Sequence, residues 1–306
     1  KTAQINGLIR FFLSNGFFGV IIITTNYKRH IMYHFIVIGN PIAHSKSPQI
    51  HQAFAAQTGL DICYQRQFCP NDKKSLTAVI EAFFAGGGRG INVTLPFKEW
   101  AFELCDELSD DAFAAKAVNT LFLKNGKLYG DNTDGRGLVA DFLDKDVCLV
   151  GKNIAILGAG GAARGAILPL LNQGANIAIF NRTLSKAQML VQEFQNHLKN
   201  NQSLSAYELS ADNLTGYFDI VINATSVSTT GQTLPLAQSD IIANTAYDMM
   251  YGQKTEFLKY FCQQNSQTFD GFGMLIQQAK LAFELWTGAA VDLTQINTNG
   301  LLFDKK

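Results

Sequence analysis

From Met32 onward two kinds of pattern alternate along the chain. Short runs dense in β-branched, aromatic and aliphatic residues, "HFIVIG" (His34–Gly39), "CYQRQF" (Cys63–Phe68) and "GINVTL" (Gly90–Leu95), are separated by longer stretches, Pro48–Thr58 and Lys73–Phe84, in which apolar residues return at helical spacing. Such βα alternation predicts a mainly parallel open sheet covered by helices. "NTLFLKNGKLYGDN" (Asn119–Asn132) reads as a hairpin turning at Asn125-Gly126, a pair that accepts the positive φ of a tight turn. A helix over Gly135–Leu143 then leads into "NIAIL", "NIAIFN", "DIVINAT" and "TAYDMM", which describe a second parallel sheet. The helix expected over Met274–Thr287 is apolar at Leu275, Leu281, Phe283, Leu285 and Trp286, so it must bury that side, and it is expected to dock back on the first domain.

The fold class is therefore α/β with two open-sheet domains: residues 32–134, then residues 135–270, with residues 271–306 returning to the first. The first 31 residues fit neither pattern. "RFFLSNGFFGVIIITT" (Arg10–Thr25) is apolar but carries Asn15 and two glycines, is too short for a membrane helix and lacks a small-residue cleavage site. It reads as an extension or as upstream sequence outside the fold, dispensable for folding and turnover; a signal anchor is the lesser reading.

Charge narrows the partners. Lys plus Arg and Asp plus Glu number 25 each, so no basic face is implied that would draw nucleic acid or an acidic membrane, and a small molecule is the expected partner. A homodimer is left open. The five cysteines form no CxxC pair and an odd number cannot be fully paired, which fits free thiols in a reducing, cytoplasmic compartment. The histidines lack metal-site spacing, so His44 and His51 are read as solvent-facing or hydrogen-bonding residues and no metal is expected.

"LGAGGAARGA" (Leu157–Ala166) matches GxGxxA, with Gly158, Gly160 and Ala163 at the positions of close approach. Alone this is a weak signal; here it follows an apolar strand, opens a helix and precedes a second strand ending at Asn181, which makes a Rossmann-type dinucleotide site. At that strand end an acid would bind the ribose hydroxyls of NAD, but the chain has Asn181-Arg182-Thr183, with Lys186 one turn on. A guanidinium and no repelling acid suit a 2′-phosphate, so the cofactor is expected to be NADP(H).

The first domain must then hold what is reduced. Ser45 and Ser47 lie two apart in "GNPIAHSKSP", so both hydroxyls can face one carboxylate, while Thr94, Lys98, Asn119 and Asp134 offer hydroxyl, ammonium, amide and carboxylate groups suited to a polyhydroxylated ring. "GNPIAHSKSP", "NVTLPFK", "AVNT", "GDNTDG", "GAGGAARG", "NRT", "NATS", "YDMMY" and "DGFGMLIQQA" stand in the order and spacing of one family, and from Met32 on the chain resembles the shikimate dehydrogenases of the aromatic amino-acid pathway.

The resemblance implies a shikimate-binding domain, an NADP-binding Rossmann domain and a cleft between them. It places Ser45 and Ser47 on the substrate carboxylate and Thr94, Asn119, Asp134 and Gln278 around the ring hydroxyls, register favouring Gln278 over Gln277. It makes Lys98 and Asp134 the catalytic pair. It assigns the loop Gly158, Ala159, Gly160, Gly161 and Ala162, with Asn181, Arg182, Thr183, Lys186 and Thr225, to the cofactor, and Gly271 and Met274 to the neighbourhood of its nicotinamide. Family members often carry arginine where Lys186 stands, "SVSTTG" (Ser226–Gly231) replaces a more glycine-rich form, and the leader matches nothing in the family.

The activity so implied is NADPH-dependent reduction of 3-dehydroshikimate to shikimate, in which an ammonium hydrogen-bonded to the carbonyl oxygen polarises it and can supply the proton. Two alternatives stand beside it. A quinate/shikimate dehydrogenase of broader specificity is disfavoured by the serine pair, because quinate carries an extra hydroxyl beside its carboxylate. A non-catalytic NADP-binding sensor would be free to lose Lys98 or Asp134, and the chain has both.

Overall fold

The computed structural model describes residues 3–12, 18–27, 32–227, 232–297 and 299–302. Strands β1 (Ala3–Phe12) and β2 (Phe18–Tyr27) pair antiparallel, with Ala3 opposite Tyr27 and Phe12 opposite Phe18. The sequence reading assigned no element here, although the run Val20–Thr25 is β-branched throughout and suits a paired strand. This hairpin forms a sheet of its own, apart from the two six-stranded sheets. Leader residues 13–17 and 28–31 lie outside the described residues.

The first six-stranded sheet contains β3 (Tyr33–Gly39), β4 (Ile62–Phe68), β5 (Gly90–Val93), β6 (Glu107–Leu108), β7 (Thr120–Lys124) and β8 (Lys127–Asp131), in the order β4-β3-β5-β7-β8-β6. β3 pairs in parallel with β4 and β5, as the alternation predicts. β7 runs antiparallel to β5 and turns into β8 through Asn125 and Gly126, at φ 54° and 80°. Asn92 therefore lies opposite Thr120, and Thr120 opposite Asp131. This register gathers the carboxyl ends of β3, β5 and β8 and the start of β7 on one sheet edge. Helices α1 (Ser47–Thr58), α2 (Lys73–Ala85), α3 (Lys98–Leu104) and α4 (Asp110–Ala115) complete this half; Asp72 and Ser109 cap α2 and α4 by accepting the backbone N–H groups of Ser75 and Ala112.

Helix α5 (Asp134–Asp144) crosses to the second sheet, built of β9 (Asn153–Leu157), β10 (Asn176–Asn181), β11 (Leu204–Glu208), β12 (Thr215–Asn223), β13 (Asp240–Asp248) and β14 (Gln267–Asp270) in the order β11-β10-β9-β12-β13-β14. Every pairing in it is parallel. The sequence reading found four of these strands; "LSAYE" and "QTFD" form the two edges and carry too few apolar residues to stand out. Helices α6 (Gly161–Asn172), α7 (Leu184–Phe194) and α8 (Glu256–Gln263) accompany this sheet, and α9 (Phe272–Thr287) leaves it.

α9 returns to the first sheet. Phe272, Ile276, Ala279, Phe283 and Trp286 join Phe35, Val37, Ile50, Phe54 and Tyr64 in a single core. Trp286 stacks on Phe35 with centroids 4.9 Å apart and donates its Nε1–H to the Leu121 carbonyl at 3.2 Å. Leu285, expected on the buried side, is instead 41% exposed, because its neighbour Trp286 takes the inward position.

His51 also corrects the sequence reading: it is fully buried, and neither ring nitrogen has a partner in hydrogen-bond geometry. It follows Ile50 on the inner face of α1 and stacks between Tyr64 and Trp286, at 4.3 and 5.5 Å between centroids. Burial holds the imidazole down to about 3, against a smaller opposing pull from nearby Asn92, so the ring is a neutral aromatic plate.

Trp286 is the anchor by which α9 holds the first sheet. Trp286→Ala empties a core position and leaves the Leu121 carbonyl without its donor, so a loss of about 3–5 kcal/mol is expected in denaturant unfolding. Unchanged stability would show that α9 docks without this ring.

Candidate active site

The serine loop begins where β3 ends. Ser45 and Ser47 bring their hydroxyl oxygens to 3.2 Å, and the Ser47 N–H donates to Ser45 Oγ at 3.3 Å. Arg66, on neighbouring β4, donates Nε–H and Nη2–H to the Ser45 carbonyl at 2.9 and 2.6 Å, which fixes the loop against the sheet. Thr94 follows β5 immediately and donates its N–H to Ile38 at 2.9 Å; a Cβ on Gly39 would meet the Thr94 methyl at 2.6 Å, so the two loop starts touch.

Phe97, fully buried, ends the β5 loop and directs the chain into α3, whose first residue is Lys98. Lys98 is not a solvated helix-start charge. Its Nζ meets Asp134 Oδ2 at 2.6 Å, and both side chains are only about a quarter exposed, at 25% and 24%. Asp134 opens α5, where the unpaired N–H groups of the first turn favour an anion. Asn119 donates Nδ2–H to the other oxygen, Oδ1, at 2.8 Å, while the Asp134 N–H donates to Asn132 Oδ1 at 3.1 Å. An ammonium spending one hydrogen on a carboxylate keeps two to offer another acceptor.

Gln278 is buried on α9, its backbone and Cβ within 3.0 Å of where a Cβ on Gly137 would stand, one turn after Asp134. Gln277 borders a groove lined by Asp141 and Lys145.

On the second sheet, β9 is followed by Gly158, whose φ of 110° requires glycine and whose position under Thr225 leaves a Cβ only 3.0 Å from that methyl. Gly160 and Gly161 have open space around them at the start of α6, a cradle that any side chain would fill and that suits a diphosphate. Asn181 ties this loop to β10, accepting the Ala159 N–H at 3.1 Å and donating to the Thr183 carbonyl at 2.9 Å. Ala162, Arg182, Thr183 and Lys186 are exposed around it, and no acid stands at the end of β10. Arg182 donates to Gln232 at 3.3 Å. The residues present thus fit a dinucleotide bearing a 2′-phosphate. Gly271, where a Cβ would fall 2.2 Å from the Met249 carbonyl oxygen, opens α9 and is followed within the helix by partly buried Met274. Of "SVSTTG", residues 228–231 lie outside the described residues.

The two edges meet through α5 and α6. A Cβ on Gly135 would lie 2.0 Å from the Gly165 carbonyl oxygen, so the helix carrying Asp134 touches the helix that starts at the glycine loop.

Comparison with known proteins gives this arrangement its family. Models of a shikimate dehydrogenase substrate binding domain, of shikimate / quinate 5-dehydrogenase and of a shikimate 5'-dehydrogenase C-terminal domain match residues 37–121, 142–240 and 271–297. A shikimate dehydrogenase (NADP(+)) of Psychrobacter cryohalolentis is 52% identical over 279 residues, covering 87% of this chain and 96% of the relative. The chain belongs to the shikimate dehydrogenase family.

Solved members of the shikimate dehydrogenase fold agree with the two-sheet architecture. An Ael1 enzyme from Pseudomonas putida is 35% identical with a TM-score of 0.80, covering 90% of this chain and 100% of that one. A shikimate 5-dehydrogenase from Thermus thermophilus, in complex with NADP(H) and shikimate, is 30% identical with a TM-score of 0.75, covering 89% and 97%.

Within this site the sequence reading passed over Arg66, Tyr64 and Asn92. Nothing local marks them: Arg66 sits mid-strand and reaches the serine loop only because β4 pairs with β3. Among the described residues no group of histidine, cysteine and acidic side chains is arranged to hold a metal ion, and no helix is long and apolar enough to cross a membrane.

Proposed function

We propose that this chain catalyses the reversible, NADPH-dependent reduction of 3-dehydroshikimate to shikimate. The 2.6 Å pair of Lys98 and Asp134 carries the reading, set on the same sheet edge as the serine pair and joined through α5 and α6 to the glycine loop. The names of the relatives and the complex of the Thermus thermophilus enzyme with NADP(H) and shikimate support it.

In this reading Ser45 and Ser47 receive the substrate carboxylate, and Thr94, Asn119 and Gln278 orient the ring hydroxyls. The Lys98 ammonium donates to the carbonyl oxygen and stabilises the negative charge that builds there, while Asp134 holds the ammonium in place. The bound cofactor supplies the hydride. The loop Gly158–Ala162 and Thr225 hold its diphosphate side, Asn181, Arg182, Thr183 and Lys186 its 2′-phosphate side, and Gly271 and Met274 flank the nicotinamide. Residues 32–134 form the substrate domain and residues 135–270 the NADP domain, residues 271–306 return to the former, and residues 1–31 stand outside the catalytic fold. A small-molecule enzyme of this kind works in the cytoplasm.

Purified protein should consume NADPH only when 3-dehydroshikimate is added. Lys98→Met keeps the stem and removes the ammonium; kcat should fall by about 10² to 10⁴ with a much smaller change in KM, and NADPH binding should persist. Near-parental turnover in this variant would leave Lys98 without a role in the chemistry. Arg182→Ala should weaken NADPH roughly tenfold or more while leaving NADH nearly unchanged, measured by cofactor titration. Equal weakening of both cofactors would make Arg182 a structural residue.

A further inference from the structure

Behind the Lys98–Asp134 pair runs a buried line of hydrogen bonds whose far members, Tyr64, Asn92 and Thr120, enter none of the roles above. Tyr64 donates its hydroxyl to Asn92 Oδ1 at 2.6 Å. Asn92 Nδ2 donates to the Asn119 carbonyl at 3.2 Å and to Thr120 Oγ1 at 3.3 Å. Thr120 donates to Asn119 Oδ1 at 2.8 Å, and Asn119 Nδ2 donates to Asp134 Oδ1. Thr120 is fully buried, and Asn92 and Asn119 nearly so.

The direction of this line is set by two backbone groups. The Thr133 N–H, which can only donate, meets Asn119 Oδ1 at 2.9 Å; that atom must therefore be the oxygen, and the amide nitrogen must face Asp134. The Asn119 carbonyl can only accept, so the atom of Asn92 that meets it is the nitrogen, and Asn92 turns its oxygen to Tyr64. Thr120 then receives from Asn92 and has one hydrogen left, for which Asn119 Oδ1 is the acceptor. Burial pushes the Tyr64 hydroxyl far above its ordinary range, against a smaller influence of Ser47, so it remains a donor. A continuous run of donors thus leads from Tyr64 through Asn92, Thr120 and Asn119 to the Asp134 carboxylate.

We infer that Thr120 is a positioning residue for catalysis: its buried hydroxyl, backed by Asn92 and Tyr64, joins the Thr133 N–H on Asn119 Oδ1, braces that amide with its own N–H towards Asp134 and thereby steadies the carboxylate that holds Lys98. The inference rests on the proposed role of Lys98 and Asp134. The Thr133 N–H sets the sense of this amide; the Thr120 hydroxyl is a further donor on the same oxygen, and without it the amide, and the carboxylate it holds, are less firmly placed. A valine would fill the same buried volume without the hydroxyl, so packing alone does not call for threonine here.

Thr120→Val tests this. The expected result is a fall in kcat of roughly five- to tenfold, the order of one lost buried hydrogen bond, with KM for 3-dehydroshikimate and NADPH binding within about twofold of the parent. Thr120→Ser, which keeps the hydroxyl and drops the methyl, should recover most of the loss. Parental kcat in Thr120→Val, or equal losses in the valine and serine variants, would overturn the inference, the latter by assigning the effect to the methyl's packing. Should the valine variant not fold, Thr120→Ala against Thr120→Ser gives the same comparison. The inference alone falls if Lys98→Met abolishes turnover while Thr120→Val behaves as the parent; active Lys98→Met removes both it and the reading beneath it.

Discussion

The close seating of α5 is the constraint on which the rest of the molecule depends. This helix carries Asp134 at its first residue and touches both halves of the protein through positions that tolerate no added atom: Gly135 against the Gly165 carbonyl of α6, and Gly137 against Gln278 of α9. At its other end Asp141 is buried, accepts the Tyr247 hydroxyl at 2.7 Å, pairs with Lys145, and leaves room only for a glycine at position 273. A carboxylate so held stays at a fixed place relative to the glycine loop, because the same helix backbone that positions it is packed on the helix that opens there. Preorganisation here comes from backbone contact, which is stiffer than contact between long side chains.

Charge is arranged around that scaffold with little excess. Arg164, within the glycine-loop helix, is spent on Glu193 on α7, which Lys116 from the first half also reaches at 2.9 Å. The Arg164 guanidinium, with Lys116 assisting, holds the Glu193 carboxyl down at about 2, so two cations, one from each half, share a single carboxylate. Arg182 and Lys186 are left as the exposed cations beside the loop. The result is local positive charge where an anionic phosphate would sit, in a chain whose net formal charge is zero.

The first half combines a polar edge with an aromatic interior. His51, Tyr64, Trp286 and Phe35 stack in one column beneath the serine loop, and the neutral imidazole behaves there as another ring. The polar line from Tyr64 to Asp134 leaves this column and surfaces at the partly exposed Lys98–Asp134 pair. An apolar support crossed by a directed polar thread holds the edge residues in place.

The sequence by itself determined the chemistry available and the alternation of strand and helix, because both are written in local order: a glycine loop after an apolar strand, Arg182 at the next strand's end, Lys98 after Pro96, Asp134 after the hairpin. It did not determine which of those groups meet. That Lys98 reaches across 36 residues to Asp134 follows from β7 running antiparallel to β5 and β8 returning beside it. The burial of His51, the outward turn of Leu285, the edge strands β11 and β14 and the grip of Arg66 on the serine loop likewise depend on partners distant in the chain. The orientation of the Asn119 amide was decided only when tertiary packing set the Thr133 N–H against one end of it, since an amide has no preferred sense until a donor or acceptor is fixed beside it.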